Sequence, residues 1–414
     1  DAGDQNVIKC GSYVGNGSTT GPEINLGFEP QWLMIKCTSA TGSWGIIDCM
    51  RGIVTGGSDK FSIANGNNVE YDFDVMELTP TGFKITSSGS FLNTNNETFV
   101  YTAIRRPDGY VGKPPELGTG VFTPILNATD SAEPFYRAAN HVVDFALAKR
   151  YDTSVSWWSS SRLIQGKYLQ TDTTSAEQSN SYQQFDYQSG YNSFTGSAGN
   201  NIGYLWKRHA GFDVVCYKGN ETSNHQIRHS LNKTPEMMWV RQREATNDGT
   251  WFVWHKGLNN GNPGTYFIRL NTDGAESDYN LFYGTPTSTH FSLYGYDGIN
   301  GNNENHIAML FASVDGISKV GYYSGSNSSQ TISLGFAPRF VLIKARDSSQ
   351  SRDWIVLDTT RGWASGNDKA IKLNTNAAQF DYDFADPTST GFTLIGNVGF
   401  TNESGTDYIY YAHA

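Results

Sequence analysis

The sequence predicts an all-β protein built from tandem β-sandwich modules, about four repeats of roughly 100 residues each. Three observations carry that prediction. Segments such as Trp32–Cys37, Phe99–Ala103 and Phe340–Ala345 are short, rich in β-branched and aromatic residues, and bounded by Gly, Asn, Ser or Pro. Turn signals return at sandwich-like spacing, and helical periodicity is nearly absent. A long motif also occurs twice, as LGFEPQWLMIKCTSATGSWGIIDCMRG at Leu26–Gly52 and LGFAPRFVLIKARDSSQSRDWIVLDTTRG at Leu334–Gly362.

Taken in order, the first module opens with GSYVGNG (Gly11–Gly17) and the motif. It continues through SDKFSIAN (Ser58–Asn65), YDFD (Tyr71–Asp74) and TGFKI (Thr81–Ile85), and closes on FVYTA (Phe99–Ala103). The last module repeats this series as GYYSGSN, NDKAIKLN, YDFA, TGFTL and YIYYA. A third copy starts at Phe212 and carries WFVWHKGL (Trp251–Leu258), YFIRLNTDG and HIAMLFA. The most degenerate copy carries VVDFALAKR (Val142–Arg150), WWSSSRL (Trp157–Leu163) and IGYLW. Residues 133–150 hold the one stretch of helix formers, and at most one short helical turn is expected there.

Closing strands centred on Tyr101, Tyr204, Met309 and Tyr410 set the boundaries: module one at 1–106, two at 135–211, three at 212–316 and four at 317–414. Between modules one and two, residues 107–134 read as a linker or long loop. They hold Pro107, Pro114, Pro115, Pro124 and Pro134, and proline lacks the donor a central strand needs. The short connections Trp206–Asp213 and Ala312–Lys319 predict that modules two to four pack closely in a row.

Composition excludes some classes. The net charge is −10 and only 17% of residues are charged, so no basic stripe for nucleic acid is expected. No apolar run approaches the roughly 20 residues of a membrane helix, and membrane insertion is not expected. Cys10, Cys37, Cys49 and Cys216 lack CxxC spacing and are read as free thiols. The chain contains no GxSxG, HExxH or phosphate-binding loop, so no enzyme is expected and no catalytic residue is assigned.

The repeated Trp, Asp and Arg are the best site candidates: Trp44, Asp48 and Arg51, with Trp354, Asp358 and Arg361 in the last copy and Trp251 and His255 in the third. Residues four apart on a strand face one side. An aromatic platform beside a charged pair could bind a sugar. The competing reading puts the Trp in the sandwich core and has Asp and Arg tie a loop to the sheet. That reading is favoured, because these residues repeat in step with core residues such as Phe28 and Phe336. DGINGNNE (Asp297–Glu304) loosely echoes an oxygen-rich calcium loop, with Asp297, Asn300, Asn302 and Glu304 as candidate ligands, and an Asn/Gly turn explains it equally well. No other cofactor is expected.

GSY-x-GNG, LGF-x-P with IK, W-x3-D-x2-RG and a closing Y-I-x-Y-x-A strand together resemble a repeated domain in virion proteins of marine tailed phages, chiefly those infecting cyanobacteria. WFVWHKGL followed by YFIRLNTDG also resembles the strands of concanavalin- and laminin-G-like (jelly-roll) sandwiches. The resemblance implies a non-enzymatic virion surface protein: a tail fibre, spike or capsid appendage that attaches to the host or decorates the particle. Its implied partners are other virion proteins, a host-surface glycan and further copies of itself as a homo-oligomer. The alternatives are a secreted or cell-surface lectin-like adhesin and, third, a polysaccharide depolymerase.

Overall fold

In the computed structural model, residues 7–89, 91–127, 136–192, 200–347 and 350–414 are described. The protein is all-β, and every named strand pair is antiparallel. Among the described residues, four six-stranded sheets share one order of strands. In the first sheet the order is Ile8–Val14, Thr98–Arg105, Pro30–Cys37, Trp44–Asp48, Asp59–Ile63 and Tyr71–Phe73. In the fourth it is Ser318–Ser324, Asp407–His413, Phe340–Ala345, Ile355–Asp358, Asp368–Lys372 and Phe380–Tyr382. Each unit thus inserts its closing strand between its opening strand and the strand that in the first and fourth units carries the "IK" of the motif.

A small second sheet covers one face of each large one. In the first unit it is formed by Glu23–Asn25, Gly82–Ile85 and Met76–Thr79. Phe83 beside Gly82 sets an edge-on ring against Tyr101 of the closing strand, and Phe392 does the same against Tyr410. Such pairs add about 0.5–1.5 kcal/mol beyond simple burial. Gly82 itself leaves no room for a side chain, since a Cβ there would lie 1.9 Å from the Ile24 carbonyl oxygen.

The second sheet begins with Phe122–Asn127, inside the stretch expected to be linker, and continues through Asn201–Trp206, Phe145–Arg150, Trp158–Ser161, Lys167–Gln170 and Gln178–Ser179. Proline does not forbid this strand, because it is an edge strand bonded only to Asn201–Trp206 and Pro124 need not donate on its open side. The second unit therefore starts at residue 122 rather than 135. No helix forms among the described residues of 133–150; Tyr136–Ala138 and Phe145–Arg150 are strands, and residues 133–135 lie outside the description.

Units two, three and four do not stand in a row. They close into a ring, and three kinds of contact repeat around it. The indole N–H of Trp157 (second unit) donates to the Lys372 carbonyl (fourth) at 2.8 Å, that of Trp354 (fourth) to Arg269 (third) at 2.9 Å, and that of Trp251 (third) to Gln170 (second) at 2.8 Å. Strand pairing puts these acceptors at one equivalent position, opposite the residue after each Trp. The cations Lys149, Lys344 and Arg241 travel the same way round, to the carbonyls of Thr375, Asp273 and Thr173. Main-chain bonds close the rim: Gln379 to Tyr151 at 2.7 Å, Glu276 to Arg346 at 2.6 Å and Glu177 to Arg243 at 2.7 Å.

The ring interior is aromatic. Phe122 touches Phe340, Trp206 touches Phe212, and Phe311 touches Tyr411, with centroids 4.9–5.9 Å apart across three different units. Strands that face this core on one side and their own sandwich on the other are buried at every position, as Met237–Gln242 and Phe340–Ala345 are. The first unit packs outside the ring. A buried charge cluster holds it there: Glu29 pairs with Arg208 at 2.7 Å and Arg106 at 3.2 Å, and Arg106 reaches Asp213 of the third unit at 3.0 Å.

Candidate functional site

Asp48 ends its strand and ties down the turn that follows. One carboxylate oxygen accepts from the backbone N–H of Met50 (3.1 Å) and Arg51 (2.8 Å), and the other pairs with Arg51 Nε at 2.6 Å. Arg51 reaches back to the Ile46 carbonyl at 3.1 Å, so the fork clamps the turn onto the strand it left. The next residue, Gly52, has φ 129°, and Gly362 has φ 121°; this left-handed region explains the Gly after each Arg. In the fourth unit the arrangement is sealed. Asp358 accepts from the Arg361 backbone and Nε, and Tyr204 of the second unit donates its hydroxyl to the same carboxylate at 2.7 Å.

His255 stands where the third unit would carry the Asp, and it does part of the same work. Its Nδ1 accepts the Gly257 N–H at 2.9 Å, and Nε2 faces the Tyr410 carbonyl of the fourth unit at 3.4 Å. Burial drives its pKa down to about 3, so the ring is neutral and accepts through Nδ1.

These positions correct part of the sugar-site expectation. Trp251 and Trp354 are 0% and 1% exposed, and His255, Asp358 and Arg361 are buried, so none of them can meet a ligand from solvent. The Trp residues also do not pack inside their own sandwiches, as the competing reading had it. They face outward from them, into the joint between units. Of the sugar-site candidates, Trp44 is 39% exposed, and Asp48 and Arg51 are half-buried. Sequence reasoning missed the ring cations and Tyr204. The repeated "IK" signalled Lys344 alone of the three; Lys149 and Arg241 share its register position, with Lys36, but follow Ala148 and Val240.

The calcium expectation is corrected by the fate of Asn300. Asp297–Asn300 is a single helical turn, and the buried Asn300 carboxamide is committed on both sides. Its oxygen accepts from Asn220 and faces His225, and its nitrogen donates to Thr222 and Tyr294 carbonyls. Glu304 turns to Thr246 instead. Among the described residues no group of three or more His, Cys, Asp or Glu is placed to hold a metal ion. All four cysteines are free thiols, and no helix among the described residues is long and apolar enough to cross a membrane.

A family described as a domain of unknown function, DUF7483, matches residues 5–106 and 204–414. The chain belongs to the DUF7483 family. The DUF7483 match takes in the first, third and fourth sheets and the last half of the closing strand of the second. It passes over 107–203, the stretch whose sequence diverges most although its sheet keeps the common order. No curated protein matches the chain.

Proposed function

We propose that this DUF7483 protein is a non-enzymatic surface component of a tailed-phage particle, a fibre, spike or capsid appendage that mediates host attachment or decorates the virion. The observation that carries the reading is the use made of the motif's reactive side chains. Asp358, Arg361 and His255 are bonded within and between units, and the groups best suited to chemistry serve as fasteners of a rigid body. The motif's resemblance to repeated virion domains supports the same conclusion, with other virion proteins as partners. Mass spectrometry of purified particles, with antibody labelling to place the chain on the surface, tests it. A chain secreted by an uninfected cell and missing from particles would overturn it.

One observation favours a second reading, a lectin-like adhesin. Trp44 presents an exposed indole on the same strand as Asp48, which pairs with Arg51, and an exposed indole can stack on a sugar face. Glycan-array binding that disappears in Trp44→Ala, without particle association, would select it.

A further inference from the structure

The first unit carries both halves of the ring contact and makes neither. Trp44 occupies the position of Trp157, Trp251 and Trp354. Those three are 0%, 0% and 1% exposed, whereas Trp44 is 39% exposed and its indole N–H meets no acceptor among the described residues. The acceptor position falls on Ile63, paired with Gly45 just as Lys372 pairs with Ile355. Its carbonyl takes only a long turn bond, 3.4 Å from Gly66.

The sheet face around Trp44 corresponds, residue by residue, to the faces that line the ring. Trp32, Met34 and Ile46 match Phe340, Leu342 and Val356, and Cys10 matches Val320. In the fourth unit those positions are sealed, with Leu342 and Val356 at 1%. In the first unit Trp32, Met34 and Ile46 are half-buried and Cys10 is exposed, and the edge residues Ile8 and Val14 are 53% and 56% exposed. The strand pattern states the difference. Phe340–Ala345 is buried at every position, while Leu33–Cys37 alternates buried and half-buried, the signature of a sheet with one open face.

We propose that this open face is an interface between copies of the chain, and that three chains close around it as a trimer. Trp44 of each copy donates to the Ile63 carbonyl of the next. The number follows from the contact itself. It is head-to-tail, donor of one unit to acceptor of the next, and such contacts close only at the number their rotation allows. Within the chain the same contact, between sheets of the same order, closes after three units. One adjustment is required. Lys36 Nζ now bonds its own unit at Cys37 and Gly42, whereas Lys344 keeps the first of these bonds and sends the second to the neighbour's Asp273.

The trimer stands apart from the virion assignment, since either can fail alone. Sedimentation velocity and native mass spectrometry on the full chain should show a species of three 45.6-kDa chains. Ile46→Lys, which puts a charge at the middle of the face, should weaken association by roughly tenfold or more while leaving the fold intact by circular dichroism. Tyr382→Lys, at an exposed aromatic of the fourth unit, should leave the trimer unchanged. The exposed Cys10 thiol supplies an independent readout: alkylation followed by peptide mass spectrometry should find it protected in wild type and labelled in Ile46→Lys. A monomer or dimer at every concentration, a trimer indifferent to both Ile46→Lys and Trp44→Arg, or a Cys10 labelled equally in both proteins would overturn the proposal. So would a monomer that binds a glycan through Trp44.

Discussion

Truncating the same motif tryptophan in two units should give two different answers. Trp354 lies in the joint between the fourth and third units, 1% exposed, and its N–H satisfies the Arg269 carbonyl. An indole side chain buries roughly 200 Å², worth ~5 kcal/mol at about 25 cal/mol per Å². Trp354→Ala removes most of that, opens a cavity and leaves a carbonyl without its donor, so a loss of about 4–6 kcal/mol is expected. Trp44→Ala is milder on each count. Two-fifths of the residue is already in water, truncation leaves a notch open to solvent, and no acceptor is stranded; about 1–2 kcal/mol is expected. Urea unfolding, read as the midpoint shift at constant slope, separates these values. Both changes are made in the Ile46→Lys background, so that association does not enter. Equal losses at the two sites would refute the assignment of Trp354 to a joint between units.

The aspartates should part in the same way. Asp358→Ala strands the buried Arg361 and removes the acceptor for Tyr204, and is expected to cost about 3–5 kcal/mol. Asp48→Ala breaks a partly hydrated pair and should cost about 1 kcal/mol in the same denaturation assay. Stability should also fall between pH 7 and pH 5. Burial holds His209 and His255 at about 3 and His306 at about 4, and pushes His413 down as well, while unfolded histidine titrates near 6.5. The unfolded chain therefore takes up protons first. The stability is present above pH 6.5 and is lost as pH falls toward the folded values, ~2 kcal/mol per histidine at pH 5. Asp59 and Asp368, whose carboxyls burial pushes up to about 7 and about 6, act with the opposite sign and offset part of the loss. His255→Gln should flatten the slope between pH 6 and 5 by ~1.4 kcal/mol per pH unit, measured by thermal melts in matched buffers. Finally, EDTA should leave the melting temperature unchanged. Asn300→Ala should lower stability by about 2–3 kcal/mol, because the carboxamide serves protein groups rather than an ion.

Much of the fold is legible in the sequence because strand formation depends on short-range alternation and turn chemistry. The Leu26–Gly52 and Leu334–Gly362 motifs mark out equivalent strands in the first and fourth units. The joints between units are not legible there. Trp44 and Trp354 share a motif and a register, and nothing within either repeat says that one faces solvent and the other a neighbouring sheet. That depends on which units the connections bring together. Pro124 misleads for a related reason. Proline rules out a central strand, but only the topology tells that Phe122–Asn127 is an edge. His255 reads as the loss of an acidic function. Its Nδ1 nevertheless restores the backbone bond that the Asp provides elsewhere, a substitution visible only once the turn geometry is known.

The divergence of the second unit follows from which atoms do the joining. Around the ring, each rim joint has a main-chain bond, to which Glu177–Arg243 and Glu276–Arg346 ion pairs are added at two of the three, and the Trp and cation contacts all end on carbonyl oxygens. A carbonyl is present whatever the side chain, so an acceptor strand is free to change sequence provided its register holds. The donor side is constrained to an indole N–H and a long cation, and Trp157 and Lys149 are what the second unit keeps. The same asymmetry governs the open face of the first unit. Ile63 can serve as an acceptor without any distinguishing side chain, while Trp44 and Lys36 keep the donor types at the positions where the ring uses them. A surface selected only for solubility has no reason to retain an exposed tryptophan and a lysine in that register; a surface that closes on its own copies does.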